Sequence, residues 1–232
     1  MTNKQNYNEE WKRLPWKSFE QNLFRLQHRL YKASKENNID KCKKIQSLIL
    51  GSASSRYLAV RQVTVLNTGR KSAGVDGKAS LAPKERMKLA EELKTISGWE
   101  HQPLRRVFIP KDNGESRPLG IPTIRDRAMQ CLLKYALEPY YEGTASSGSW
   151  GFRPGRSAHD VQKLIFLNLK SDSNGYQKRI YELDIEKCFD KIDHNKLLSL
   201  IVITSSAKKI VKSALKAGDL NERIKTLERT HQ

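Results

Sequence analysis

Three cysteines in 232 residues, Cys42, Cys131 and Cys188, are too few and too widely spaced to form a disulfide framework. None has a histidine at metal-ligand spacing, so a zinc module is not expected either, and a reducing cytoplasm is the expected compartment. No apolar run approaches the ~18 residues that a membrane-spanning helix needs, which argues against a membrane partner. The first ten residues, Met1 to Glu10, are polar and lack the apolar core of a signal peptide. Internal repeats and low-complexity tracts are missing as well.

What is abundant is positive charge. Lysine and arginine total 43 against 25 acidic residues, a formal charge of +18 and a pI near 9.9. A basic balance spread along the whole chain favours a polyanionic partner, with nucleic acid the first choice. The length allows one or two domains and a sizeable core.

Residues from about Trp16 to Leu66 read as helical. Ser18 and Gln21 have capping-box spacing, and Phe19, Leu23, Leu26 and Leu30 fall on one face. Arg25, Arg29 and Lys32 fall on the other, either as a plain solvated face or as a stripe tracking a phosphate backbone. A short helix restarts at Ile39-Asp40 with Ile45, Leu48 and Ile49. A third runs from about Ser54 to Leu66 and stops at Asn67-Thr68-Gly69. Pro83 to Ile96 forms another, with Met87, Leu89, Leu93 and Ile96 as its buried residues. Leu104–Pro110 and Arg117–Pro122 are β-like runs around an Asn113-Gly114 hairpin signal. Arg125–Tyr141 and Ser157–Leu169 read as helices, and Arg179–Ile185 as a strand ending in acids. Helical stretches follow at about Asn195–Val202, Ala207–Ala217 and Asn221–Leu227. The order of elements is α+β rather than doubly wound.

The residues suited to chemistry lie between these elements. Thr68 to Gly77 is a loop with three glycines and the adjacent cations Arg70 and Lys71; it is either a linker or a phosphate-approaching loop. Lys111 and Arg117 flank the hairpin turn, where a point charge and a forked guanidinium suit a triphosphate; a solvated basic hairpin is the alternative. Gly148 to Arg156 is rich in glycine and arginine. Arg153 and Arg156 suit phosphates there, and Phe152 suits packing or stacking. Asp184, delivered by the β-prone run, suits a divalent metal beside a phosphate. Asp190 and Asp193 read as caps or acceptors.

Four blocks in order carry a resemblance: Arg105-Arg-Val-Phe-Ile-Pro-Lys111, Arg117-Pro-Leu-Gly-Ile-Pro122, Gly151-Phe-Arg-Pro-Gly-Arg-Ser157 and Asp184 to His194. Together they resemble the reverse transcriptases, RNA-directed DNA polymerases and maturases, encoded by group II introns. The resemblance implies an α+β right-hand polymerase fold. Residues 1–80 would be a helical amino-terminal extension, 81–178 the fingers region and 179–232 a partial palm. It implies that Asp184, with the carbonyl of Ile185, holds Mg²⁺, and that Lys111 and Arg117 take the triphosphate. Phe189 would pack beneath the nucleotide sugar, with ordinary core packing as its alternative. Arg125, Arg127 and Gln130 would face nucleic acid, and the 151–157 loop would meet the template. The implied partners are intron or template RNA, an RNA–DNA duplex and deoxynucleoside triphosphates.

Two family blocks, Gly-Thr-Pro-Gln-Gly-Gly and Tyr-Ala-Asp-Asp, do not occur in these 232 residues, where the corresponding end reads Arg229-Thr-His-Gln232. The expectation is therefore an amino-terminal fragment, not competent for polymerisation by itself, most simply from a truncated or decayed reading frame, with complementation by a separate carboxy-terminal fragment as an alternative. A non-catalytic RNA-binding maturase-like protein or splicing cofactor is the alternative.

Overall fold

The computed structural model describes residues 9–112 and 114–218. Asn113 of the hairpin signal and the helix expected at 221–227 lie outside the described residues.

Among the described residues, a helical stretch at 9–13 precedes α1 (Trp16–Lys35), α2 (Ile39–Gly51), α3 (Ala53–Arg61) and α4 (Pro83–Glu92). The antiparallel strands β1 (Arg105–Pro110) and β2 (Ser116–Ile121) follow, and then the long α5 (Ile124–Thr144). The remaining helices are α6 (Ala158–Leu169), α7 (His194–Leu200) and α8 (Ser205–Lys216). A mostly helical chain with one small sheet is an α+β arrangement.

The helices form where periodicity places them, with local differences at their ends. Leu23 and Leu30 of α1 are buried, Phe19 and Leu26 are partly so, and Arg25, Arg29 and Lys32 are exposed. The expected capping box is not used: α1 starts three residues earlier, behind Pro15, which leaves Ser18 inside the first turn. In α2 Asn38 caps the backbone N–H of Lys41, Ile45 and Ile49 are buried, and Leu48 faces solvent. After Arg61 the chain widens into a π-helical turn, Gln62–Leu66, closed by the Asn67 N–H on the Gln62 carbonyl at 2.8 Å.

One apolar cluster runs from Trp11 to Ile210, with α1 lying against α5, α2 and α3. The α1–α5 approach requires Gly143, because a Cβ there would collide with the Ser34 hydroxyl. Buried Arg56 joins α3 to α4. Its guanidinium donates to the carbonyls of Ala90 and Gly51, each at 2.8 Å, with Glu91 at 3.5 Å. Gln46 on α2 donates to the Val202 carbonyl at 2.8 Å and so ties the first helices to the segment before α8.

The centre of the fold's polar architecture is Asp126 in the first turn of α5, which is fully buried. Its carboxylate accepts from the Trp99 indole N–H at 3.3 Å, the Gln102 backbone N–H at 3.0 Å and the Thr123 hydroxyl at 2.8 Å. A buried carboxylate is tolerated when its acceptor capacity is filled in this way.

The strand expected at Arg179–Ile185 is not formed. Residues 178–185 have no strand partner among the described residues, and Ile180, Tyr181, Leu183 and Ile185 are all exposed. A β-prone run needs a neighbouring strand to satisfy its backbone and cover its side chains, so propensity alone does not make it a strand.

Replacing Asp126 with alanine would leave two buried donors, the Trp99 indole and the Thr123 hydroxyl, and the part-buried Gln102 N–H without their acceptor. Asp126→Ala should lower stability by about 3 kcal/mol, read as a lower urea midpoint at unchanged m. An unchanged midpoint would show that the carboxylate does not organise this region.

Candidate nucleic-acid interface

Two segments far apart in sequence meet at the loop between α5 and α6. Phe152 and Phe189 pack edge to face, with ring centroids 6.0 Å apart and planes at 86°. Both rings are otherwise exposed, and Phe152 holds a positive φ of 58°. A non-glycine residue in this region is uncommon and marks a constrained loop. The contact brings the Gly151–Ser157 loop beside the Asp184–Phe189 turn.

Asp184 sits at the start of that turn and is exposed, and its carboxylate accepts from the next backbone N–H, that of Ile185, at 2.9 Å. The Ile185 carbonyl already accepts from Cys188 N–H at 3.2 Å. Among the described residues no group of three or more potential metal ligands comes together. One exposed carboxylate with free acceptor capacity fits one side of a Mg²⁺ shell completed by phosphate oxygens and water. It does not fit a pair of ions by itself. Asp193 is the cap that its position suggests, accepting from the N–H groups of Asn195 and Lys196 at the start of α7.

The arginines divide into two groups. Arg153 is spent inside its own loop. Its guanidinium forks onto the Glu142 carboxylate at 2.9 and 2.6 Å and donates to the carbonyls of Ser146 and Ser149, each at 2.6 Å. That bond holds the Glu142 carboxyl below the usual carboxylate range. Arg127 is likewise committed, donating to the carbonyls of Gly69 at 3.0 Å and Ser72 at 2.6 Å. Arg125 pairs with Glu92 at 2.5 Å and lies 3.5 Å over the Trp99 ring. In Arg127 and Arg153, internal carbonyls and a carboxylate take several of the guanidinium donors. Arg156 stacks over Trp150 at 4.8 Å, and Gln130 is half-buried on α5.

Other predicted residues remain outward-facing. Arg25 bonds Asn22 one turn earlier on exposed α1, while Arg70 and Lys71 lie in an exposed 3₁₀ turn that Asn67 caps. The glycine nearest that turn has a packing role as well, since a Cβ on Gly74 would come within 2.7 Å of the Thr123 backbone. On the hairpin Arg117 pairs with Ile109, and the Lys111 N–H bonds the Glu115 carbonyl at 2.8 Å. Strand alternation then puts Arg117 and Lys111 on the same face. The Lys111 ammonium is held by Glu115 at 2.8 Å.

Sequence reasoning missed Asp126 and Glu142. Thr123-x-x-Asp126 has capping spacing and was open to reading, whereas Glu142 meets Arg153 across an irregular loop that has no period.

Residues 11–93 match the family described as the N-terminal domain of reverse transcriptase, and residues 109–232 match reverse transcriptase (RNA-dependent DNA polymerase). The chain is 34% identical over 194 residues to maturase-like protein 1 of Euglena gracilis, covering 83% of this chain and 42% of that protein. It is 35% identical over 166 residues to protein YkfC of Escherichia coli, with 68% and 43% covered. It is also 35% identical over 169 residues to the group II intron-encoded protein LtrA of Lactococcus lactis, with 71% and 27% covered. The chain thus spans less than half the length of these relatives.

The Glu142–Arg153 bond has a defined pH window. Because the folded carboxyl titrates below its ordinary value, the bond's contribution is complete above the ordinary value of about 4.3 and is lost as pH falls through the lowered one. Trypsin cleavage after Arg156 should be slow at neutral pH and become faster in Arg153→Gln. Equal cleavage of the two proteins would show that the fork does not order the loop.

Proposed function

This chain belongs to the group II intron reverse transcriptase and maturase family, and we propose that these 232 residues grip RNA as the amino-terminal part of an RNA-directed DNA polymerase. Residues 1–80 act as the extension, 81–178 as the fingers and 179–232 as the start of the palm. The observation that supports this reading is the Phe152–Phe189 contact, between the glycine- and arginine-rich loop and the turn that follows Asp184. A template-contacting loop has to lie next to the metal-binding carboxylate if a nucleotide is to be placed between them.

In this reading Asp184 and the Ile185 carbonyl contribute to holding Mg²⁺, which supplies charge stabilisation for phosphoryl transfer when bound. Lys111 and Arg117, on one face of the hairpin, meet the triphosphate, and Phe189 lies beneath its sugar. Arg25, Arg29 and Lys32 on α1, with Arg70 and Lys71, meet the RNA backbone. Arg125 and Arg156, stacked on Trp99 and Trp150, are further candidate nucleic-acid contacts in this reading. Gln130 completes the set on α5.

RNA binding should be steeply salt-dependent, because counterion release supplies much of its free energy. Reversing Arg25, Arg29 and Lys32 together should flatten the log–log salt slope by about 2 for single-stranded RNA. The melting temperature should hold, since the buried face of α1 is untouched. Salt-independent binding would overturn the reading.

Primer extension tests the catalytic half. Asp184 is one carboxylate where two-metal catalysis draws acids from separate segments, so the 232 residues on their own should give no extension above background. With a complementing carboxy-terminal fragment, extension should appear and be abolished by Asp184→Ala. RNA binding that persists while no fragment restores extension would favour a non-catalytic maturase-like role.

A further inference from the structure

A second basic feature lies away from the Phe152–Phe189 contact. Helix α8 faces the turn from Ile96 to His101 across a cavity of about 580 Å³. The two walls are tied by the His101 backbone N–H, which donates to the Ser213 hydroxyl at 2.8 Å. Trp99 and Ile210, both buried, line the apolar floor.

Lys209, Lys212 and Lys216 line the helical wall. Their spacing of three and four residues places all of them on one face of α8, over a rise of roughly 10 Å. All are exposed, and none forms an ion pair among the described residues. Glu100 is the acid on the cavity wall. His101 is 3% exposed, and neither of its ring nitrogens has a hydrogen-bond partner. Burial pushes His101 down from its ordinary value, against the attraction of Asp126 and with the repulsion of Arg125, which favours the neutral ring. A buried, unpartnered imidazole is unusual, since buried polar groups are nearly always bonded. It leaves a polar group at the cavity wall without a protein partner.

We propose that the trough between α8 and the Ile96–His101 turn holds an RNA phosphodiester backbone, with Lys209, Lys212 and Lys216 contacting successive phosphates. This inference rests on the RNA-binding reading above and adds to it a site that none of the family-related blocks contains. Lysine suits the role: its ammonium is a mobile point charge that follows a backbone without fixing register. A row of cations on a helix fits an extended strand better than a lone phosphate ion, which would use only one or two of them.

The test compares two triple variants of the full chain by fluorescence anisotropy with labelled single-stranded RNA. One carries Lys209→Ala, Lys212→Ala and Lys216→Ala; the other carries Lys43→Ala, Lys44→Ala and Lys88→Ala, exposed lysines on α2 and α4. The net-charge change is the same in both. The trough variant should lose about tenfold or more in affinity and about 2 in salt slope, while the control loses much less. Thiouridine-substituted RNA should crosslink to the peptide spanning 205–216 in the unmodified protein, and inorganic phosphate at equal ionic strength should compete no better than chloride. Equal losses in the two variants, or crosslinks absent from 205–216, would overturn the trough. Selective competition by phosphate would overturn it in favour of a free-anion site. If the unmodified chain binds no RNA at all, the broader reading falls with it.

Discussion

The interior of this protein is organised around a carboxylate that has no access to water. Removing an ionised group from solvent costs several kcal/mol and is tolerated only when its bonds are complete. Asp126 meets that condition with the Trp99 indole, the Gln102 amide and the Thr123 hydroxyl. The consequences spread from the first turn of α5. The 99–102 segment is pinned to the helix start, which turns the Trp99 ring under Arg125 and sets His101 against α8. Along the same helix, Arg127 reaches the carbonyls of Gly69 and Ser72 and holds the loop that carries Arg70 and Lys71. A single buried acid thus positions surface cations on both sides of it.

Much of this was open to sequence reasoning, and the failures share a cause. The helices were legible because a 3.6-residue period is a local property, and the hairpin because turn chemistry is local as well. The strand before Asp184 was not, since Tyr181 and Leu183 have β propensity but no partner among the described residues to pair with. The internal partners of the arginines were not legible for a related reason. Charge can be read from one position, but partnership cannot: Arg127 is answered by carbonyls more than fifty residues away, and Arg153 by Glu142 across a loop. Within the Arg-Asp-Arg run at the start of α5, the middle residue is the fold's polar centre, a role its neighbours in sequence do not reveal.

The structure also separates the two kinds of cation by task. Arginines recur over indole rings, Arg61 on Trp16, Arg86 on Trp11, Arg125 on Trp99 and Arg156 on Trp150. Others fork onto carbonyls and carboxylates, as Arg56, Arg127 and Arg153 do. A planar, weakly hydrated guanidinium is suited to this internal work. Lysines instead populate the exposed faces, in rows on α8 and beside Arg25 and Arg29 on α1. Much of the formal charge of +18 that faces solvent is therefore lysine charge.

That division decides how the protein responds to salt. Exposed charges separated by about a Debye length, ~8 Å at physiological ionic strength, are screened, whereas buried or stacked pairs are screened far less. In the proposed RNA-gripping role, raising salt would weaken attraction to RNA through the exposed cations while leaving the buried Asp126 and Arg56 networks intact. It also relieves the mutual repulsion of so many like charges, which otherwise opposes compactness. On that reading binding and stability would move in opposite directions with ionic strength, because the exposed lysine faces carry charge that the buried Asp126 and Arg56 networks do not depend on.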